Sequence, residues 1–169
     1  MKLFKAAFLD RDGVLNYDTG YVYKIKDFKW KKNVFEAIKF LNTNKYLVII
    51  ISNQSGIGRG YYSEKSLKNL NLWIQKQLKK KKAFVNKFYH APYYKYSKLK
   101  KYRNGYLDRK PNTGMITKAF KKWKIIKKKS FIIGDKESDK KLAKNLNMKF
   151  VKVNKKSDLL KIVKNICIN

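Results

Sequence analysis

The chain has 169 residues, with 43 Lys and Arg against 11 Asp and Glu, and a formal charge of +32. At 44% hydrophobic and 15% aromatic it is too apolar for a disordered chain, and its length suits a single domain over residues 1–169. A lone cysteine, Cys167, excludes a disulfide framework and a cysteine-clustered metal site. No run reaches the roughly 18 apolar residues of a membrane span, and Asp10 interrupts the start too early for a signal peptide, so a cytoplasmic protein is expected.

Apolar runs then alternate with amphipathic stretches. Residues 3–9 read as a strand, and residues 34–41 have helical spacing, with Val34, Ala37, Ile38 and Leu41 on one face. Residues 46–51 are a continuous apolar run suited to a strand buried on both faces. Residues 63–78 are helical, with Ser63 a cap that lacks the acid completing a capping box. A short strand at 85–89 follows, then a helix at 115–123 capped by Asn112 or Thr113. Residues 130–133 read as a strand, 138–146 as a helix, 150–153 as a strand and 159–166 as a final helix. The order βαβαβαβαβα predicts an α/β fold: a three-layer, Rossmann-like parallel sheet with helices on both faces and no large cap domain. Ligands are expected at the carboxyl ends of its strands. The lysine runs 79–82 and 127–129 fall at predicted helix ends, and the long loops 11–32 and 91–111 are functional candidates.

Only Arg11, Arg59, Arg103 and Arg109 are arginine; the other 39 basic residues are lysine, spread through every segment. With abundant Asn, Ile, Tyr and Phe, that bias reads as drift toward AT-rich codons over the whole surface, with a polyanion-binding surface as the alternative. Either way the field draws anionic substrates inward. Lysine cannot replace arginine where a phosphate is gripped by two prongs, which directs attention to the few arginines.

Polar residues collect past three predicted strands: Asp10-Arg11-Asp12-Gly13-Val14, Ser52-Asn53-Gln54-Ser55-Gly56 and Gly134-Asp135-Lys136-Glu137-Ser138-Asp139. Arg109-Lys110-Pro111 precedes a helix. Carboxylates gathered at one sheet edge raise one another's pKa unless a cation sits among them, and oxygen ligands without a His or Cys cluster suit Mg²⁺. One carboxylate can then be a nucleophile and another a general acid, with Lys110 and Mg²⁺ offsetting charge on a phosphoryl group. An EF-hand does not fit, since Val14 and Tyr21 fall where ligands belong. Gly56-Ile57-Gly58-Arg59-Gly60 reads as a phosphate cradle or as a flexible turn. His90 reads as a strand-end residue, the aromatic stretch 88–106 as a covering loop, and Cys167 as core or tail.

These elements, in this order and spacing, resemble the haloacid dehalogenase-like phosphatase superfamily. In finer detail the chain looks like the D-glycero-D-manno-heptose 1,7-bisphosphate phosphatases and their histidinol-phosphatase relatives. The likeness is carried by Leu9-Asp10-Arg11-Asp12-Gly13-Val14-Leu15-Asn16, Gly20-Tyr21-Val22, Ser52 through Gly60, Arg109-Lys110-Pro111-x-x-Gly114-Met115 and Gly134-Asp135-Lys136. It implies an Mg²⁺-dependent phosphatase that removes the 7-phosphate of a sugar bisphosphate through an aspartyl phosphate. Asp10 would be the nucleophile and Asp12 the acid and base. Ser52 and Lys110 would bind the phosphoryl oxygens. Asp10, the backbone carbonyl of Asp12, and Asp135 would hold the metal. Asp18, Thr19, Gly20, Tyr21, Asn53, Arg59, Arg109 and Lys136 would recognise a small sugar phosphate, with the chain a monomer and no membrane partner.

Many relatives carry a zinc loop, whose ligand positions here hold His90, Pro92, Tyr106 and Asp108. One histidine and one carboxylate cannot close a four-ligand site, so no zinc is expected. Polynucleotide 3′-phosphatases share parts of the pattern, and a nucleic-acid partner suits the charge. Arg11, the Gly20-Tyr21-Val22 segment and Gly134-Asp135-Lys136-x-x-Asp139 argue against that reading. A non-catalytic binding protein is disfavoured because every expected catalytic residue is present.

Overall fold

The computed structural model describes residues 2–168. Strands β1 (Lys5–Leu9), β2 (Tyr46–Asn53), β3 (Lys87–Ala91), β4 (Phe131–Gly134) and β5 (Lys149–Lys152) form one sheet in the order β3-β2-β1-β4-β5. Every pairing is parallel. The helices are α1 (Val34–Thr43), α2 (Ser55–Gly58), α3 (Glu64–Lys80), α4 (Gly114–Lys122), α5 (Glu137–Leu146) and α6 (Leu159–Ile168).

The period of two along each strand divides the core. Ala7, Leu9, Val48, Ile50, Phe131 and Ile133 face one way, onto Ile38, Leu70, Ile74 and Val163 of α1, α3 and α6. Ala6, Phe8, Ile49, Ile51 and Ile132 face the other way, onto Met115, Ile116, Ala119 and Leu142 of α4 and α5. Leu9 pairs with Ile50 of β2 and Ile133 of β4, so the residues after these strands emerge at one edge. The chain builds outward from β1 to β3, then returns to β4 on the other side of β1. The strand order therefore reverses beside β1, which places the expected ligand crevice there.

Several boundaries differ from those predicted. β1 starts at Lys5 because Phe4 makes only an isolated bridge to Ile125, and β3 lies two residues later than its apolar run suggested. The Ser63 hydroxyl does cap α3, accepting from Ser66 N at 3.0 Å. Thr113 is the N-cap of α4 but makes no side-chain bond. Lys127–Lys129 is a 3₁₀ turn ahead of β4 rather than a helix end. The Gly56-Ile57-Gly58 segment is not a flexible turn but part of helix α2, with all three residues buried. A Cβ at Gly56 would stand 2.2 Å from the Tyr62 ring, so tight packing requires that glycine. Among the described residues, the loops carry only short 3₁₀ turns and isolated bridges, without a cap domain. Among those residues no helix is long and apolar enough to cross a membrane.

Candidate active site

Asp10 follows β1 directly and is buried. Lys110 reaches it from the loop before α4: its Nζ lies 3.0 Å from Asp10 Oδ2 and 2.6 Å from Asp139 Oδ1, and donates to the Ile51 carbonyl at 3.0 Å. Burial pushes the Asp10 carboxyl up to about 7; Lys110 opposes the rise, and the charges of Asp139 and Asp12 add to it. Burial also works against the charge on Lys110, but Asp10 and Asp139 outweigh it and hold the ammonium above its usual range.

Asn53 was expected to contact substrate. It borders the cavity, and its amide also binds the Lys110 backbone, accepting from Lys110 N at 2.9 Å and donating to Lys110 O at 3.1 Å. These two bonds help to seat the lysine.

Carboxylate oxygens of Asp10, Asp135 and Asp139 lie within 4.8 Å of one another, the one cluster of this kind among the described residues. Asp135 Oδ1 is buried without a hydrogen-bond partner. Burial raises the Asp135 carboxyl, with Lys136 opposing. Gly13, at φ +87°, leaves room for this carboxylate: a Cβ there would sit 2.2 Å from Asp135 Oδ2. The Asp12 side chain is turned elsewhere. Oδ1 accepts from Arg11 Nε at 3.1 Å, Arg11 Nη2 at 2.9 Å and Asn16 Nδ2 at 3.0 Å; Oδ2 accepts from Arg11 Nη2 at 2.9 Å and Gln54 Nε2 at 3.0 Å. The Ser52 hydroxyl accepts from the same Gln54 amide at 2.6 Å.

Asp135 borders a cavity of about 250 Å³ with Gly13, Lys31 and Asn154. A separate cavity of about 350 Å³ opens beside Asp12 and Lys110, bordered also by Asp18, Gly20, Tyr21, Arg109 and Lys136. Lys136 Nζ donates to Asp18 Oδ2 at 2.8 Å across its mouth. Burial alone would raise Asp18, but Lys136 and the Gly20 amide hold it below the usual carboxylate range. Arg109 is half-buried and makes one long contact, 3.5 Å to the Tyr93 carbonyl; burial and the nearby Arg59 lower its pKa. Two expected substrate residues stand off the cavity. Thr19 is exposed and does not border it, and Arg59 stacks its guanidinium 3.8 Å over the Tyr94 ring.

His90 and Asp108, the two candidate zinc ligands flanking the 91–107 loop, each pair with a helix side chain. His90 Nε2 pairs with Glu64 at 2.6 Å, and Asp108 pairs with Lys118. The loop is held by Arg103 Nε donating to Ser97 O at 2.6 Å, by buried Tyr102, and by Tyr94 N donating to Tyr102 O at 2.9 Å.

Sequence reasoning gave no role to Asp139, Gln54, Asn16 or Lys31. The signal for Asp139 was its place one helical turn past Asp135. Lys31 is buried and donates to the carbonyls of Gly13 at 2.9 Å and Asn154 at 2.6 Å, and burial lowers its pKa against the pull of Asp135. Nothing in its sequence context announced that.

A parallel sheet with an aspartate at the end of its central strand, a buried lysine and an acid cluster beside it agrees with the comparisons. The family model for polynucleotide kinase 3 phosphatase matches residues 5–155. A haloacid dehalogenase-like phosphatase of Mesorhizobium loti superposes with a TM-score of 0.84 at 25% identity, over 98% of this chain and 87% of that one. The D,D-heptose 1,7-bisphosphate phosphatase of B. bronchiseptica, solved with magnesium and phosphate, shares the fold with a TM-score of 0.78 at 20% identity over 98% of both chains. The chain belongs to the haloacid dehalogenase-like phosphatase superfamily and, within it, to the family of the heptose bisphosphate phosphatases. In that family it is 42% identical over 135 residues to the D-glycero-alpha-D-manno-heptose-1,7-bisphosphate 7-phosphatase of Photorhabdus laumondii, covering 80% of this chain and 74% of that protein. It is 41% identical over 139 residues to the corresponding beta-heptose enzyme of Helicobacter pylori, again covering 80% and 74%.

Proposed function

We propose that the chain is an Mg²⁺-dependent phosphatase that removes the 7-phosphate of D-glycero-D-manno-heptose 1,7-bisphosphate. The observation that carries this reading is the buried Asp10–Lys110–Asp139 group beside Asp135, whose Lys110 borders a cavity that Arg109 and Lys136 also line. The names of the relatives at about 40% identity supply the sugar.

The donor set fits a hard divalent ion: clustered carboxylates, no imidazole or thiolate, and the buried Asp135 Oδ1 without a hydrogen-bond partner. Asp10, Asp135 and the Asp12 carbonyl would hold it, with Asp139 alongside. Bound there, Mg²⁺ supplies positive charge to the phosphoryl oxygens. An Asp10 oxygen attacks phosphorus, the ester P–O bond breaks, and Asp12 hands its proton to the departing sugar oxygen. Asp12 then takes a proton from the water that attacks the aspartyl phosphate, which restores Asp10 and releases phosphate. Ser52 and Lys110 bind the phosphoryl oxygens throughout, and Arg109 receives the second phosphate.

Phosphate release from the sugar bisphosphate, set against a 3′-phosphorylated oligonucleotide, tests the reading. Release from the sugar alone is expected, and release from DNA alone would replace it with the polynucleotide phosphatase that the matching family model names. Chelation by EDTA should abolish turnover and Mg²⁺ should restore it. Because the metal-free Asp10 carboxyl sits up at about 7, Mg²⁺ competes with a proton below that pH. Its apparent affinity should fall by up to about tenfold per pH unit there and level off above, which calorimetry in buffers of different ionisation enthalpy reads as proton release. Elemental analysis should find no stoichiometric zinc; one zinc per chain would reverse the reading of the 92–108 loop.

A further inference from the structure

Arg11 is the largest fully buried side chain, 1% exposed, directly between two residues assigned to the chemistry. Its guanidinium is directed at the Asp12 carboxylate. Nε and Nη2 grip the Asp12 carboxylate, and Nη2 also donates to the Val22 carbonyl at 2.6 Å. A buried guanidinium costs several kcal/mol in desolvation, so this placement asks for a reason.

The second grip on Asp12 comes from Gln54. Its Nε2 donates to Asp12 Oδ2 and Ser52 Oγ, and its Oε1 accepts from the Tyr62 hydroxyl at 2.5 Å. Since that hydroxyl donates to the amide oxygen, it fixes which end of the amide faces Asp12. Tyr62 is itself held by stacking on Tyr23, with ring centroids 4.7 Å apart. Arg11 and Asn16 load Oδ1 heavily. Oδ2 receives one amide hydrogen and a share of one guanidinium hydrogen, which leaves it the better oxygen for a transferable proton.

We infer that Arg11, with the Tyr62–Gln54 pair as its counterpart, is a positioning device for general-acid catalysis: it fixes the Asp12 carboxyl so that Oδ2 delivers the proton to the leaving group. This rests on the reading of Asp12 as the acid. A misplaced acid harms poor leaving groups and spares good ones, because a weakly basic phenolate departs without a proton. A merely structural role lowers every substrate alike.

The test is kcat/KM for phenyl phosphate and 2,4-dinitrophenyl phosphate, esters of similar shape and very different leaving group, read up to departure of that group. Arg11→Met should lower phenyl phosphate by about 100-fold and the dinitrophenyl ester by less than about fivefold. Tyr62→Phe, which removes one hydroxyl, should widen the ratio between the esters by about three- to tenfold. Equal losses on both esters overturn the inference. If Arg11→Met shows no cooperative unfolding transition, an unchanged ratio in Tyr62→Phe overturns it alone. Asp12→Asn separates the two levels. A ratio that fails to widen there removes Asp12 as the acid; a ratio that widens there but in neither other variant leaves Asp12 in place and removes the positioning role.

Discussion

Replacing Asp10 by asparagine is expected to lower phosphate release by at least about 10⁴-fold, because an amide cannot form the covalent phosphoryl intermediate. The fold should survive. Asp10 is a buried acid pushed up to about 7, and its neighbours include another carboxylate, Asp139. Asparagine keeps the volume and removes one of two like charges, so the unfolding temperature of the metal-free protein should hold or rise. Acid-quenched reactions with labelled substrate should show protein-bound phosphate in the parent and none in the variant. Turnover within about tenfold of the parent would remove Asp10 as the nucleophile.

Lys110→Met should be costly on two counts. The lysine is the one cation between two buried carboxylates, and removing the shared partner of such a group costs about 3–5 kcal/mol. For a chain of this length that is a drop of about 6–20 °C in unfolding temperature. The loss must depend on pH. The folded-state pKa of Asp10 already lies above its unfolded value of 3.8, and losing Lys110 raises it further. A raised acid favours folding where it is protonated and loses that contribution as pH rises through the folded value. The destabilisation is therefore largest above about pH 7 and relieved toward pH 5, as thermal unfolding across that range would record. Turnover should fall by about 10²–10³-fold, since Lys110 Nζ is the ammonium held against the Asp10 carboxylate beside the transferring group. An unfolding temperature that stays level at every pH would show that the three groups are not coupled.

The architecture was legible because its signals are local and redundant. The 46–51 run suits a strand buried on both faces, and Val34, Ala37, Ile38 and Leu41 repeat at helical spacing and are all buried on α1. Asp10, Lys110 and Asp135 were legible because each follows or precedes an element whose end is marked in sequence. What escaped depends on direction. Asn53 stands beside Ser52, yet only folding shows its amide bound to the Lys110 backbone. Arg59 sits in a run of glycines that suggests an anion site, yet its guanidinium lies on Tyr94, a residue of a loop far along the chain. The helix at Gly56-Ile57-Gly58 was hidden because glycine is a poor helix former, and only folding brings the Tyr62 ring against Gly56 and the Pro92 carbonyl against Gly58. The scarcity of arginine was the useful clue for Arg11, although it could not say that the side chain would turn to Asp12.

The contact between Gly13 and Asp135 sets unequal tolerance to change across the protein. With a Cβ due 2.2 Å from a carboxylate oxygen and a backbone at φ +87°, any replacement at position 13 evicts Asp135 and strains the turn. Thr19 and Arg59 stand clear of the floor of the cleft. Asp18 and Tyr21 border its mouth instead, so a laboratory seeking new sugar preferences can vary those positions while leaving the glycine untouched: diversity in this scaffold is available at the mouth and closed at the base.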